Sequence, residues 1–85
     1  MQSLRIVRSK AGRDKDRLFI VLREDTDGYL EIADGMLRTL DKPKRKKLRH
    51  LETVLESYDC GESALTDKTA AKIIKKLSAE PERKA

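Results

Sequence analysis

Short apolar runs separated by turn-forming residues constrain the fold of this chain more than any other feature. Residues 4–8, 17–22 and 29–33 are rich in Leu, Ile, Val, Phe and Tyr, which favour β-strands. The intervening residues 9–16 and 25–28 carry the Gly and Asp that are typical of turns. Several short strands with closely spaced turns predict a small, mostly β barrel, because the chain has no room for a helix after each strand.

The chain length limits the size of the core. A chain of 85 residues forms one domain and buries only about 60% of the surface that it exposes when unfolded. A deep substrate pocket is therefore not expected. Aromatic residues are few, and we interpret Phe19 and Tyr29 as core residues, with base stacking as the alternative.

The strands and turns can be placed from local patterns. In the first strand Leu4 and Ile6 fall on one face, whereas the second strand is apolar on both faces. In the third strand we expect Leu30 and Ile32 to point inward. The alternative is that Tyr29 and Ala33, on the other face of this strand, pack at its edge. The remaining β elements are predicted as a turn at Asp34 and Gly35, a short strand or turn over 36–40, and a last strand over 46–51.

An apolar spacing typical of helices begins at the end of that last strand. Leu51, Val54, Leu55 and Tyr58 stand at positions i, i+3, i+4 and i+7. This spacing predicts a helix that begins near residue 52 or 53. It should end before Gly61, because Gly often terminates helices.

A second helix is predicted from Thr66 onwards. Thr66 is a good N-cap, Asp67 is favourable in the first turn, and Leu65 can pack on Ala70. The apolar stripe of this helix predicts packing on the barrel, with a partner-binding helix as the alternative; it consists of Ala70, Ile73, Ile74 and Leu77. We therefore expect a barrel over residues 1–51, a helical extension packed on it over 52–78, and a flexible tail over 79–85.

The positive charge of the chain belongs to its first part. The net charge is +5; residues 1–51 carry 14 basic and 8 acidic side chains, whereas residues 52–85 carry 6 and 7. A basic surface on a small β module is typical of proteins that contact nucleic-acid phosphates. We predict an RNA-binding site that joins the first turn to the basic segment 38–50. Its candidate residues are Lys10, Gly12, Arg13, Lys15, Arg17, Arg38, Lys42, Lys44, Arg45, Lys46, Lys47, Arg49 and His50.

The candidates have different expected roles. Arg13 can contact a phosphate or stack on a base. Gly12 supplies turn geometry and allows backbone N–H groups to approach a phosphate. His50 is expected to contact RNA or, alternatively, to lie at a strand edge. The cations of the basic segment are expected to act with Arg13 as one phosphate-gripping surface; a solvated charged loop is the alternative.

Other function classes find little support in the sequence. No nucleophile–base pair, metal-ligand cluster or phosphate-binding glycine loop is recognisable, and Asp34 lacks a catalytic partner, so neither an enzyme nor a cofactor is expected. Cys60 is the only cysteine, which fits a reducing compartment. No apolar run reaches the length of a membrane span, and the N-terminus lacks a signal-peptide apolar region. We therefore expect a cytoplasmic protein with no membrane partner.

Five segments, in this order, resemble the KOW family of RNA-binding domains. They are IVRSKAGRDK (6–15), FIVL (19–22), IADG (32–35), KPKRKKLRHL (42–51) and LTD (65–67). The likeness is greatest to the KOW-type large-subunit ribosomal proteins of archaea and eukaryotes and their short bacterial relatives. The resemblance implies an SH3-like barrel followed by one or two short helices, RNA binding and association with the ribosome. Asp16 and Leu4 stand where KOW sequences usually or often carry Gly.

The resemblance makes ribosomal RNA and the ribosome the expected partners, with the protein a monomer away from the ribosome. Two alternatives remain open. One is a KOW module linked to transcription, and the other is a protein-interaction adaptor that uses the barrel edge or the C-terminal helix. A salt titration separates an RNA binder from an apolar adaptor, because only phosphate contacts weaken steeply with salt.

Overall fold

Five antiparallel strands and one helix make up the regular structure of the chain. The computed structural model describes residues 3–59 and 64–79. The strands are β1 (Ser3–Ser9), β2 (Leu18–Glu24), β3 (Tyr29–Ala33), β4 (Lys44–Lys47) and β5 (Leu51–Asp59), and the helix is α1 (Asp67–Ala79). Single turns of 3-10 helix, here called the first and second 3-10 turns, span Gly12–Asp14 and Leu48–His50. The expectation of a mostly β domain with a C-terminal helix is confirmed.

The sheet curls so that its edge strands meet at one corner. The strand order β4-β3-β2-β1-β5 places β4 and β5 at opposite edges, which would stand about 19 Å apart in a flat sheet. Only the second 3-10 turn separates β4 from β5 along the chain, and a turn of that length rises about 6 Å. The sheet is therefore strongly bent, although the strand pairing within residues 3–59 does not close it.

The sheet carries an apolar layer on each face. The layer on the side of α1 contains Leu4, Ile6, Leu18, Ile20, Ala70, Ile73 and Ile74. The layer on the opposite face contains Val7, Phe19, Leu30, Ile32 and Leu51. Successive residues of β1 and β2 alternate between the two layers, as side chains of a strand must. This arrangement confirms the predicted facing of the first three strands, and Phe19, which is 1% exposed, is a core residue.

Residues 51–59 form a strand, so the helix predicted from residue 52 or 53 is wrong. Irregular pairing of β5 with β1 explains the misleading spacing. Leu4 pairs with Tyr58 and Ile6 with Leu55, so two residues of β1 match three of β5. Such bulges let a strand place residues three apart on one face. Leu51 lies in the opposite apolar layer from Leu55, and the predicted helical face therefore does not exist.

The basic segment also folds differently from the prediction. The last strand predicted over residues 46–51 is divided into the end of β4, the second 3-10 turn and the start of β5. This division follows from the sheet order, because the chain must cross here from one sheet edge to the other. Residues 34–43 form turns and bends, so the turn alternative for residues 36–40 is confirmed.

Helix α1 begins where the sequence predicts and docks on the loop after β3. The backbone N–H of Thr69 donates to the Thr66 hydroxyl at 3.2 Å, which is the predicted cap. The carboxylate of Asp67 accepts the N–H of Leu40 at 2.8 Å. Gly35, with φ +78°, lies so close to the first turn of α1 that a Cβ atom there would overlap the Asp67 carbonyl oxygen. The predicted turn at Asp34 and Gly35 therefore also seats the helix. The predicted tail begins at residue 79, but Ala79 is the last residue of α1. The predicted terminator Gly61 and residues 80–85 of the predicted tail lie outside the described residues.

Candidate nucleic-acid interface

Three separate segments meet beside the end of β1. The backbone N–H of Lys10 donates to the His50 carbonyl at 2.8 Å, which ties the first turn to the second 3-10 turn. The ammonium of Lys44 on β4 donates to the carboxylate of Asp14 in the first 3-10 turn. The first turn, β4 and the start of β5 thereby form one end of the molecule, as the RNA-site prediction requires.

Lys46 is an internal residue of this end rather than a surface cation. Its Nζ donates to the Ser9 hydroxyl at 2.8 Å and to the Ala11 carbonyl at 2.9 Å, and lies 4.0 Å from the Asp14 carboxylate. The Lys46 side chain is only 10% exposed. Together with the Lys44–Asp14 ion pair, these bonds fasten the first turn to the edge strand β4. We call this group, Asp14, Lys44 and Lys46, the clasp.

The electrostatics of the clasp depend on Asp14. The hydrogen bond from Lys44 holds the pKa of Asp14 below its ordinary value, and the charges of Lys46 and Arg38 lower it further, while partial burial opposes them. The effect of Arg38 places its charge near Asp14 as well. A carboxylate that is held ionised in this way neutralises part of the positive charge and fixes the turn that carries Arg13 and Lys15.

The first turn also contains two left-handed backbone positions. Gly12 has φ +80° and Asp16 has φ +73°, a region that non-Gly residues seldom occupy. The expected turn role of Gly12 is therefore confirmed, and Asp16 adopts a backbone conformation that favours Gly. The Asp16 N–H donates to the Ser9 carbonyl at 2.8 Å, which closes the turn.

Most of the predicted cations are exposed and have no ion pair among the described residues. Among residues 3–59 and 64–79 they make no ion pair, and their side chains lie at exposed positions. Because these cations are exposed and make no ion pair there, an external anion can approach them at little desolvation cost. This set, here called the free cations, consists of Lys10, Arg13, Lys15, Arg17, Arg38, Lys42 and Arg49.

The remaining candidates on β4 face away from the clasp. Arg45 donates to Asp25 at 2.8 Å and to Asp27 at 3.3 Å, and its guanidinium lies 4.1 Å from the centre of the Tyr29 ring. Lys47 lies over the same ring at 5.8 Å. The hydrogen bond from Arg45 also lowers the pKa of Asp25. Tyr29 is thus half-buried beneath two cations, and its interpretation as a core residue is wrong.

Alternation along β4 therefore splits the basic segment between two faces. Lys44 and Lys46 point towards the first turn, whereas Arg45 and Lys47 cover Tyr29. The expectation of one continuous surface from Lys44 to Arg49 does not match this arrangement. Period-two alternation could have revealed the split from the sequence, had β4 been placed at residue 44.

Residues 3–59 and 64–79 contain no group of three or more His, Cys, Asp or Glu side chains that could hold a metal ion. In the same part of the chain, no helix has the length and apolar character needed to cross a membrane. The Asp34 carboxylate accepts the N–H groups of Met36 and Arg38 at 2.9 and 3.0 Å, and is a turn residue.

The chain matches no protein-family model and no curated protein.

Proposed function

We propose that this chain is a non-enzymatic RNA-binding domain that docks on structured ribosomal RNA and associates with the ribosome. The observation that carries the proposal is the set of exposed cations in the first turn, Lys10, Arg13, Lys15 and Arg17, because the clasp holds this turn in place. Phosphate contacts from such cations supply affinity and position, but little sequence reading. The same surface would serve a stable ribosomal component and an assembly factor.

An SH3-like barrel of the KOW type is the finer fold that we propose for the sheet. The strand order and the short 3-10 connection between β4 and β5 support it. The clasp supports it too, because Lys44 and Lys46 join the edge strand β4 to the turn that follows β1. These side-chain bonds bridge a gap that strand pairing leaves open.

Recognition by phosphate contacts fits this molecule better than recognition by base stacking. Phe19 is buried in the core, and the Tyr29 ring is covered by Arg45 and Lys47. Neither ring offers an open face to a base, whereas folded RNA is bound mainly through its shape and backbone. The RNA expected here is therefore a structured one.

Two paired substitutions test where the RNA binds. Arg13→Gln with Lys15→Gln removes two free cations, whereas Arg45→Gln with Lys47→Gln removes two cations from the Tyr29 face. Binding of deproteinised ribosomal RNA should weaken only in the first variant, and its log–log salt slope should fall by about 0.7 to 0.9 per lost contact. Equal losses in both variants would show that net charge alone drives binding, and would refute a localised site.

Co-sedimentation with ribosomes separates the proposal from its alternatives. The wild-type protein should sediment with ribosomes at low salt and leave them at high salt. A module linked to transcription would bind RNA with the same salt dependence but remain off the ribosome. In the adaptor alternative, the apolar side of α1 is not available to a partner, because Ile73 and Ile74 are buried against the sheet.

A further inference from the structure

The exposed face of α1 carries a stripe of lysines that lies outside the RNA site proposed above. The stripe consists of Lys68, Lys72, Lys75 and Lys76. Positions i, i+4, i+7 and i+8 share one side of a helix, and the buried side is formed instead by Ala70, Ile73 and Ile74. The lysines therefore project away from the sheet.

The lysine stripe has no internal counter-charge in the described part of the chain. Its four members make no ion pair there. The one acidic residue of α1, Asp67, accepts a hydrogen bond from the loop after β3. Like charges at i, i+4 destabilise an isolated helix, so the free protein retains an unfavourable feature that an anionic partner would relieve. The nearly neutral charge count for residues 52–85 does not reflect this local excess of positive charge, because most of the acidic residues lie outside the helix.

The lysine stripe begins beside a loop that carries Arg38, one of the free cations. The charge of Arg38 lowers the pKa of Asp14 in the first 3-10 turn. Arg38 also belongs to the loop that holds the first turn of α1 through the Leu40–Asp67 hydrogen bond and the close approach of Gly35. The lysines begin at residue 68, directly after this contact.

We propose that the lysine stripe of α1 is a second phosphate-contact surface, and that one RNA contacts both the free cations and the stripe. This inference rests on the RNA-binding function proposed above. The stripe is about 12 Å long at the helical rise of 1.5 Å per residue. A nucleic-acid strand with a 3.4 Å rise presents about three or four phosphates over that distance.

The composition of the stripe favours RNA over other anionic partners. A helix that lies on a membrane inserts its apolar face into the lipid, but the apolar face of α1 is already buried in the core. Protein interfaces are depleted in Lys and need buried apolar or aromatic anchors. Solvent-exposed lysines in a row instead match a repeating line of phosphates.

The test compares a charge-removing with a charge-preserving variant of the stripe. In one variant all four lysines are replaced by Gln, and in its matched control all four are replaced by Arg; both residues have helix propensities close to that of Lys. The ligands are a labelled RNA hairpin and deproteinised ribosomal RNA, titrated over a range of salt. Loss of two to four phosphate contacts should lower the log–log slope by about 1.4 to 3.6 in the Gln variant. The Arg variant should keep the wild-type slope.

The outcomes separate this inference from the proposed function. Wild-type protein without salt-dependent RNA binding would refute the proposed function, and the inference with it. If the wild type and the Gln variant bind RNA with the same log–log salt slope, the inference is refuted but the proposed function is not. A second experiment uses vesicles that contain phosphatidylserine. If the Gln variant loses binding to these vesicles but keeps the RNA binding of the wild type, the stripe contacts a membrane surface instead of RNA. Thermal unfolding should show the Gln variant at least as stable as the wild type, because it removes like-charge repulsion.

Discussion

Replacement of Gly35 by Ala tests whether α1 is docked on the loop after β3. A Cβ atom at this position would overlap the carbonyl oxygen of Asp67 and lie 2.7 Å from the backbone nitrogen of Ala71. Both are backbone atoms of α1, so no side-chain rotation can relieve the clash. The helix must shift away from the sheet, or the loop must change its backbone conformation.

The chain offers a matched control for the conformational part of this effect. Gly28 has φ +82° and Gly35 has φ +78°, but a Cβ on Gly28 would meet no atom within 4 Å. Gly28→Ala should therefore lower the free energy of unfolding only by the left-handed penalty of about 1 to 2 kcal/mol. Gly35→Ala adds overpacking of about 1 to 3 kcal/mol, which gives a total loss of about 2 to 5 kcal/mol.

Urea unfolding followed by circular dichroism measures both losses. The expected total is a large part of the stability of a chain of this size, which is about 4 to 13 kcal/mol. Introducing Ile73→Ala into the Gly35→Ala variant and into the Gly28→Ala variant tests whether α1 is still packed on the sheet in each. If Gly35→Ala undocks α1, the cost of Ile73→Ala should shrink in that background and remain unchanged with Gly28→Ala. Equal losses for the two glycine variants would refute the docking of α1 on Gly35.

Four further predictions concern the core and the first turn. Ile73→Asp should lower the free energy of unfolding by about 3 kcal/mol or more because it buries an unpaired charge, whereas Ile73→Val should lower it by about 1 kcal/mol. Equal melting curves for the two variants would show that the apolar stripe of α1 is not part of the core. Asp16→Gly should be neutral or stabilise by up to about 1 kcal/mol, since it relieves a left-handed residue. It should also strengthen RNA binding slightly, and weaker binding would reveal a role for the carboxylate. Lys46→Glu should lower the free energy of unfolding by about 3 to 5 kcal/mol, because it breaks buried hydrogen bonds beside Asp14. Lys47→Glu, on the exposed face, should change the free energy of unfolding by less than about 1 kcal/mol. Similar unfolding midpoints for the two variants would contradict the clasp. The lowered pKa of Asp14 means that its ion pair stabilises the fold fully above the ordinary Asp value of 3.8 and less as the pH falls through the lower folded value, so Asp14→Asn should flatten the acid limb of the stability–pH curve.

Local sequence patterns determined the first three strands, their facing and α1. Alternation in β1 and β2 assigns Leu4 and Ile6 to one layer and Phe19 to the other without reference to any other part of the chain. Thr66 and the apolar spacing after it likewise define the start of α1. These features depend on neighbours within one or two turns, so the sequence alone determines them.

The tertiary structure decided the identity of β5 and the division of the basic segment. The apolar residues from Leu51 to Tyr58 fit a helix or a bulged strand equally well, and only the pairing with β1 selects the strand. In the same way, the directions in which the lysine side chains of the basic segment point are set only by the pairing of β4 at the sheet edge. Lys46 then finds Ser9 and Ala11, which are 37 and 35 residues away along the chain, whereas Lys47 remains on the face of Tyr29. The charges and their spacing can be read from the local sequence. The residues that surround a buried charged side chain are distant in the sequence, and only the bending of the whole sheet brings them close to it.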